Sequence, residues 1–105
     1  MSYYGQIVDV AAPTAVYDAT HAELLRRSGG HVEGLIVHLS RATADGFQVL
    51  EVWTDRAAWE RADRELIAPL LAELAASVTG PPFPPPRVAE FPVHGLIVPA
   101  ADLAL

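Results

Sequence analysis

The strongest constraint on the fold is a pair of apolar segments joined by a short turn. Residues 34–41 read GLIVHLSR and residues 47–54 read FQVLEVWT, and Ala44-Asp45-Gly46 supplies a turn between them. This pattern predicts a β-hairpin. In each strand, apolar residues occur at odd and at even positions and therefore lie on both faces. This is typical of a sheet that is covered on both faces. The fold must therefore place material on each side of this hairpin.

The N-terminal part of the chain predicts a strand followed by a helix. Residues 3–10 combine β-branched and aromatic residues and end at Ala11-Ala12-Pro13. A helix is expected from Thr14 to Arg27, with Thr14 as its cap and Gly29-Gly30 as its stop signal. Tyr17 and His21 lie one turn apart on its inward stripe.

The C-terminal half predicts a second helix and a last strand. The helix is expected from Thr54-Asp55 to about Val78, with Pro69 kinking or splitting it. The proline-rich residues 80–86 predict a stiff connector. Residues 87–98 then predict a long strand in which Pro92 marks an edge position or a bulge, and residues 99–105 predict a short tail.

The element order is β-α-β-β-α-β, which predicts one α+β domain over residues 1–105 with a ferredoxin-like antiparallel sheet. Both helices of such a fold lie on one face of the sheet. The other face, also apolar, would be exposed in a monomer. A patch of this size favours self-association, and two sheets packed face to face across a two-fold axis make a closed barrel. We therefore expect a homodimer formed through the sheet face.

The chain also resembles a known superfamily. The stretch GLIVHLSRATADGFQVLEVWTDRAAWER, a proline within the next helix and the final VHGLIV are similar to the dimeric α+β-barrel superfamily, and to small actinobacterial-type members of its antibiotic-biosynthesis-monooxygenase-like group. The most specific part is Val52-Trp53-Thr54-Asp55 followed by Trp59. The resemblance covers residues 3–98. It implies a scaffold with many chemistries, among them cofactor-independent oxidation of polycyclic phenols, haem breakdown, isomerisation, dechlorination and plain binding.

Composition excludes several kinds of catalytic site and argues against some reactions and partners. The chain has no Cys, Lys or Asn, so thiolate nucleophiles, Schiff bases and a P-loop lysine are absent, and no GxGxxG motif occurs. We therefore expect no cofactor. Haem breakdown in this superfamily resembles a task for Asn, Trp and His together, and the missing Asn argues against it; it also weakens a quinol or anthrone oxidase interpretation. The net charge of −6 disfavours nucleic acid and anionic membranes, and a cytoplasmic location is expected.

The candidate catalytic residues are Glu51 and His38. In residues 47–54, Glu51 and Trp53 share one face, whereas the opposite face is aliphatic and suits the helices. By this parity Glu51, Trp53 and His38 face the lumen of the dimeric barrel. A carboxylate in such a dry site can act as a general base, with His38 as its acid–base partner. The alternative is structural: a carboxylate that is hydrogen-bonded within the sheet and a packed histidine.

Four further residues are candidates for substrate binding: Tyr17, His21, Trp53 and His94. Tyr17 and His21 would lie at the mouth of the pocket or pack under the sheet, Trp53 would stack on an aromatic ring, and the direction of His94 depends on the register after Pro92. His21, His38 and His94 lie on separate elements without a metal-binding spacing, so no metal site is expected.

These features predict a small-molecule enzyme. The resemblance implies cofactor-independent oxidation, cyclisation or isomerisation of an aromatic or polyketide-like metabolite, so the partner besides the second copy is a hydrophobic or aromatic small molecule. The alternative is a non-catalytic small-molecule-binding or structural dimer. A continuous cavity that reaches Glu51 and His38 would favour the enzyme.

Overall fold

A four-stranded antiparallel sheet with the strand order β2-β3-β1-β4 forms the frame of the protein. The computed structural model describes residues 3–101 and 103–104. The elements are β1 (Tyr4–Val10), α1 (Thr14–Ser28), β2 (Leu35–Ala42), β3 (Phe47–Trp53), α2 (Arg56–Ala62), a π-helical turn (Asp63–Ile67), α3 (Ala68–Ala76), β4 (Arg87–Pro92), β5 (Ile97–Val98), a 3-10 turn (Pro99–Ala101) and β6 (Leu103–Ala104). This order and topology confirm the predicted ferredoxin-like α+β fold.

The helices cover the face of the sheet that carries Trp53. Trp53 forms the buried core with Tyr4 of β1 and with Ala58 and Ala62 of α2. Glu51 points to the same face, because it is two residues from Trp53 along β3. The prediction that the aliphatic face packs on the helices, with Glu51 and Trp53 facing a barrel lumen, is therefore wrong.

The face of β3 that meets the helices is decided by the size of its side chains and by the residues that can pack on them, rather than by the number of aliphatic residues. Trp53 buries more apolar surface than any Val or Leu in β3, and the two alanines of α2 leave space for its ring. His38 lies opposite Glu51 in the register of β2 and β3, so it too lies under the helices rather than in a lumen.

The opposite face of the sheet, which we call the open face, is apolar except at the end around Gln48, and the helices of the described residues lie on the other side. Leu39 of β2 pairs with Leu50 of β3 on this face, and Leu39 is 49% exposed. The ring of Phe91 lies across Gly5, where a Cβ would come within 2.2 Å of it. The predicted apolar character of both faces is thus seen in the fold.

The second helical region is divided, as Pro69 predicts. The backbone N–H of Ala68 donates to the carbonyl oxygen of Asp63, five residues back, which is the wide turn of a π-helix. Pro69, with no N–H, then stands in the first turn of α3, where none is required. The Oδ1 of Asp55 accepts from the N–H of Ala58 at 2.8 Å and confirms the predicted start of this region.

Two terminal details differ from the sequence interpretation. The cap of α1 is Pro13, without a side-chain cap bond, so Thr14 is the first helical residue rather than its cap. The last strand ends at Pro92 instead of continuing to residue 98. Pro92 cannot donate to a ladder, and the final bond to this side of the sheet runs from the N–H of Val93 to the oxygen of Tyr3. Residues 97–98 then pair with residues 103–104 in a separate small hairpin.

No helix within residues 3–101 and 103–104 combines the length and the apolar character needed to cross a membrane.

The turn between β2 and β3 generates a test of the hairpin. A Cβ at Gly46 would lie 2.1 Å from the carbonyl oxygen of Val10 and 2.7 Å from that of Ala12, both backbone atoms that cannot rotate away. We expect Gly46→Ala to lower the free energy of unfolding in urea by about 1–3 kcal/mol. Ala44→Ser, at an exposed position of the same turn, is the control, with a change of at most about 0.5 kcal/mol. Equal stability of the two variants would contradict the close approach.

Candidate functional site

Four side chains form a hydrogen-bonded chain between the sheet and α1, which we call the polar chain: Glu51, His38, Tyr17 and His21. The Oε2 of Glu51 lies 2.7 Å from Nδ1 of His38. The Nε2 of His38 lies 2.8 Å from the Tyr17 hydroxyl oxygen, and the same oxygen lies 3.2 Å from Nδ1 of His21. A carboxylate, an imidazole, a phenol and a second imidazole are thus connected in series.

Strand register and helix periodicity explain why these residues meet. His38 and Glu51 are direct partners across the β2–β3 ladder, so their side chains leave the same face side by side. Tyr17 and His21 are four residues apart on α1 and therefore project from the same side of the helix. A register irregularity between Leu35 and Val37 places the following residues of β2 so that His38, and not Val37, faces α1.

Glu51 is held from two sides. Its Oε2 receives the bond to His38, and its Oε1 accepts from Nε1–H of Trp53 at 3.3 Å. The side chains of Glu51 and His38 are only 11% and 17% exposed. Burial of a carboxylate is costly unless its oxygens have partners, and here each oxygen has one. Glu51 is therefore positioned behind His38, away from any molecule that approaches from solvent.

The aromatic rings of the polar chain stack in parallel. The ring of Tyr17 lies 5.3 Å from that of His21 and 6.0 Å from that of His38, with planes inclined by 16° and 14°. The edge of the group is closed by Phe47, whose ring meets Tyr17 at 5.4 Å and 62°. This packing limits side-chain rotation, so the hydrogen bonds stay aligned.

The structure brings together five of the six predicted site residues and leaves one apart. Tyr17, His21, His38 and Glu51 form the polar chain, and Trp53, 1% exposed, hydrogen-bonds to Glu51. His94 is exposed and follows β4, which lies at the opposite edge of the sheet from the strand that carries His38.

A neighbouring buried network was not anticipated from the sequence. Gln6 lies opposite Glu51 in the β1–β3 register, is buried, and donates from Nε2 to the Tyr4 hydroxyl at 3.0 Å. Burial, with the nearby Glu90 as a second cause, raises the pKa of Tyr4 above its usual value. The signal in the sequence is an uncharged polar residue in a mainly apolar strand, at the same parity as Tyr4.

Two cavities lie away from the polar chain. One of about 370 Å³ is lined by residues including Tyr3, Arg56 and Glu90, and one of about 340 Å³ by residues including His31 and Arg61. Within the part of the chain that the structure describes, no group of three or more His, Asp or Glu side chains is arranged to hold a metal ion.

Comparison with known proteins gives a fold but no sequence family. No protein-family model matches the chain, and no curated protein matches it in sequence. Solved structures of similar fold include one protein of unknown function and two enzymes. NE2512, a protein of unknown function from Nitrosomonas europaea, has a TM-score of 0.70 at 18% identity and covers 94% of this chain and 96% of its own.

The other two are enzymes from Streptomyces. SnoaB from Streptomyces nogalater, a cofactor-independent oxygenase, has a TM-score of 0.56 at 18% identity and covers 86% of this chain and 89% of its own. The monooxygenase from the gene ActVA-Orf6 of Streptomyces coelicolor, in complex with the ligand nanaomycin D, has a TM-score of 0.51 at 19% identity and covers 93% and 92%. These likenesses confirm the predicted resemblance to dimeric α+β-barrel proteins of the antibiotic-biosynthesis-monooxygenase-like type at the level of the fold.

The two-sided support of Glu51 can be tested by stability. In Glu51→Gln the carboxylate is replaced by a neutral amide with one acceptor oxygen, so the charge-assisted bond to His38 is lost. We expect the free energy of unfolding to fall by about 1–3 kcal/mol. The matched control is Glu60→Gln, since Glu60 is an exposed partner of Arg56 and its loss should cost at most about 1 kcal/mol. Equal losses in urea denaturation would show that Glu51 has no special support.

Proposed function

We propose that the protein is a small-molecule enzyme that removes a proton from, and returns one to, a hydrophobic aromatic or polyketide-like substrate without a cofactor. The observation that carries this proposal is the bond series from Glu51 through His38 to Tyr17. A carboxylate that orients an imidazole, which in turn contacts a hydroxyl, is a general arrangement for moving protons. Glu51 and His38 form the acid–base pair of the proposed site.

The roles of the other residues follow from their positions. The Tyr17 hydroxyl is hydrogen-bonded to Nε2 of His38. In this proposal the phenol therefore lies between the acid–base pair and a bound molecule. His21 lies beyond Tyr17, and both residues are proposed to contact substrate. Trp53 is buried, and in this proposal it holds Glu51 in place rather than stacking on a substrate ring. Substrate binding by His94 stays a prediction from the sequence.

The substrate class is supported by the proteins of similar fold. One is a cofactor-independent oxygenase, and another is a monooxygenase with bound nanaomycin D. Removal of a proton from an enolisable or phenolic ring system gives an electron-rich anion. That anion can isomerise, cyclise or react with dioxygen as co-reactant, so proton removal is the first step common to oxidation, cyclisation and isomerisation.

The second candidate function is a non-catalytic small-molecule-binding or structural dimer. One observation favours it: apart from Nε2 of His21, the side-chain polar atoms of the polar chain are bonded to neighbouring side chains, and the two cavities named above lie elsewhere. A buried polar network of this kind can specify a fold without any reaction.

The proposal includes a homodimer formed through the open face. Proteins of this fold type are dimeric, and the open face presents apolar residues such as Ile7, Leu39 and Leu50 without a covering layer. The proposed partners are therefore a second copy and a small molecule, with no nucleic acid and no membrane. A cytoplasmic location remains a prediction.

Proton removal can be measured with anthrone, an enolisable tricyclic ketone. In deuterated buffer under nitrogen, we expect the protein to accelerate exchange of the anthrone CH₂ hydrogens above the buffer rate, as followed by NMR. His38→Ala and Glu51→Gln, checked to be folded, should lower this acceleration by about 10²-fold or more. Uptake of dioxygen, measured in air with an electrode, then distinguishes oxygenation from isomerisation.

His31→Gln is the control for the exchange assay, because His31 is exposed and outside the polar chain. Binding of anthrone without accelerated exchange would support the non-catalytic alternative. Exchange that is unchanged in His38→Ala would remove the acid–base role from this residue.

The dimer can be tested by sedimentation equilibrium with two matched variants. Leu39 on the open face is 49% exposed and Leu71 on α3 is 46% exposed. We expect Leu39→Glu to convert a species of twice the chain mass into a monomer, because it would bury charges in an apolar interface. Leu71→Glu should remain a dimer. The same mass for both variants would exclude the open face as the interface.

A further inference from the structure

The Tyr17 hydroxyl lies between two imidazole nitrogens and has one hydrogen to donate. Its oxygen is 2.8 Å from Nε2 of His38 and 3.2 Å from Nδ1 of His21. A phenol can donate one bond and also accept one. One of the two nitrogens must therefore accept the Tyr17 hydrogen, and the other must carry a hydrogen of its own.

Glu51 determines which imidazole nitrogen accepts the Tyr17 hydrogen and which one donates to the Tyr17 oxygen. Its carboxylate oxygen accepts from Nδ1 of His38, so that nitrogen carries a hydrogen. When the His38 ring is neutral, its Nε2 has a lone pair and takes the hydrogen of Tyr17. Nδ1 of His21 must then donate to the Tyr17 oxygen, which leaves the lone pair of His21 on Nε2.

The Nε2 of His21 is the outer end of this series. It has no hydrogen-bond partner among the residues that the structure describes. Within the same residues, no buried side-chain nitrogen or oxygen lacks a partner. Because His21 is only half-buried, its free Nε2 is therefore in contact with solvent, and a molecule that approaches the cluster can reach it.

We propose that the polar chain is a proton relay and that Nε2 of His21 is the atom that takes a proton from the bound substrate and returns it. This role in turnover rests on the proposed function above. The substrate C–H or O–H bond breaks and its proton forms a bond to Nε2 of His21. The hydrogen on Nδ1 of His21 moves to the Tyr17 oxygen, and the former Tyr17 hydrogen moves to Nε2 of His38.

In this step the relay takes up one proton from the substrate, and the resulting positive charge lies on His38 rather than on His21. His21 is neutral before and after, with its hydrogen transferred from Nδ1 to Nε2, and Tyr17 is a neutral phenol in both states. His38 becomes an imidazolium beside the Glu51 carboxylate, which stabilises it. The substrate keeps the electron pair as an enolate or phenolate. Reversal delivers a proton from the same Nε2, so the site suits substrates that lose and regain a proton at nearby atoms.

The charged groups on the elements around the relay include the exposed carboxylate of Asp18, next to Tyr17 on α1. From β3 the group is Glu51, and from β2 it is His38. On α1, Glu23 is paired with Arg26 and Arg27, and from α3 Glu73 binds Arg27 rather than either imidazole. The carboxylate that contacts an imidazole of the relay is that of Glu51.

The relay can be tested without any substrate by NMR of ¹⁵N-labelled histidine, with resonances assigned from His21→Gln and His38→Gln. During a pH titration we expect His38 to be protonated on Nδ1 when neutral and on both nitrogens below its midpoint. His21 should change from the Nδ1–H to the Nε2–H tautomer at the same midpoint. A His21 that stays in one tautomer throughout would overturn the relay.

Tyr17→Phe is the decisive variant, because it removes the hydroxyl and keeps the ring that stacks on both imidazoles. We expect the two histidines to titrate at separate midpoints in this variant, with His21 becoming an imidazolium on its own. Tyr3→Phe, which alters a tyrosine outside the relay, should keep the common midpoint. A common midpoint that survives in Tyr17→Phe would also overturn the relay.

Anthrone exchange then separates this inference from the proposed function. His21→Gln and Tyr17→Phe should each lower the exchange rate by about 10²-fold, and added imidazole should restore part of the rate in His21→Ala. A coupled titration without any catalysed exchange would keep the relay and reject the enzyme. Catalysed exchange that is unaffected in His21→Gln would keep the enzyme and reject His21 as its proton acceptor.

Discussion

The contact on which the site depends is the cross-strand pair of Glu51 and His38, at 2.7 Å under the helices. A carboxylate that is largely removed from water loses hydration free energy, and it must recover this from hydrogen bonds. Both oxygens of Glu51 are occupied, one by His38 and one by Trp53. This requirement fixes the ring orientation of His38, which then determines where the Tyr17 hydroxyl of α1 can bind.

Trp53 connects the stability of the fold to the site. Its ring packs in the core cluster with Tyr4, Ala58 and Ala62, whereas its indole N–H reaches Glu51. The small alanines allow α2 to approach the sheet closely enough to bury the ring. Because one rigid side chain serves both purposes, displacement of α2 would move Glu51 and His38 as well. The apolar residues on the helix-covered face of the sheet thereby hold the polar chain in place.

The sequence predicted the element order, the hairpin and the division of the helix near Pro69, since these depend on local patterns. It failed to identify the face of β3 that meets the helices. Both faces of that strand are apolar, and the choice depends on partners such as Ala58 and Tyr17, which come from distant parts of the chain. The end of β4 at Pro92 was likewise missed, because the pattern of residues 93–98 favours a strand whether or not a neighbour is available to pair with it. His94 is separated from the other candidates because it follows β4, at the opposite edge of the sheet from β2.

The corrected orientation also changes how a dimer would influence the site. With His38 under the helices, the polar chain is complete within one protomer, and a partner on the open face supplies no residue to it. The two surfaces are still coupled, because successive residues of a strand point to opposite faces: Leu39 of the open face is next to His38. Among the residues that the structure describes, β2 is an edge strand that pairs only with β3, and edge strands have fewer bonds to restrain them. Packing a second copy on Leu39 would therefore restrain the strand that carries His38, so dimerisation would act on the site through the position of one strand rather than through a shared residue.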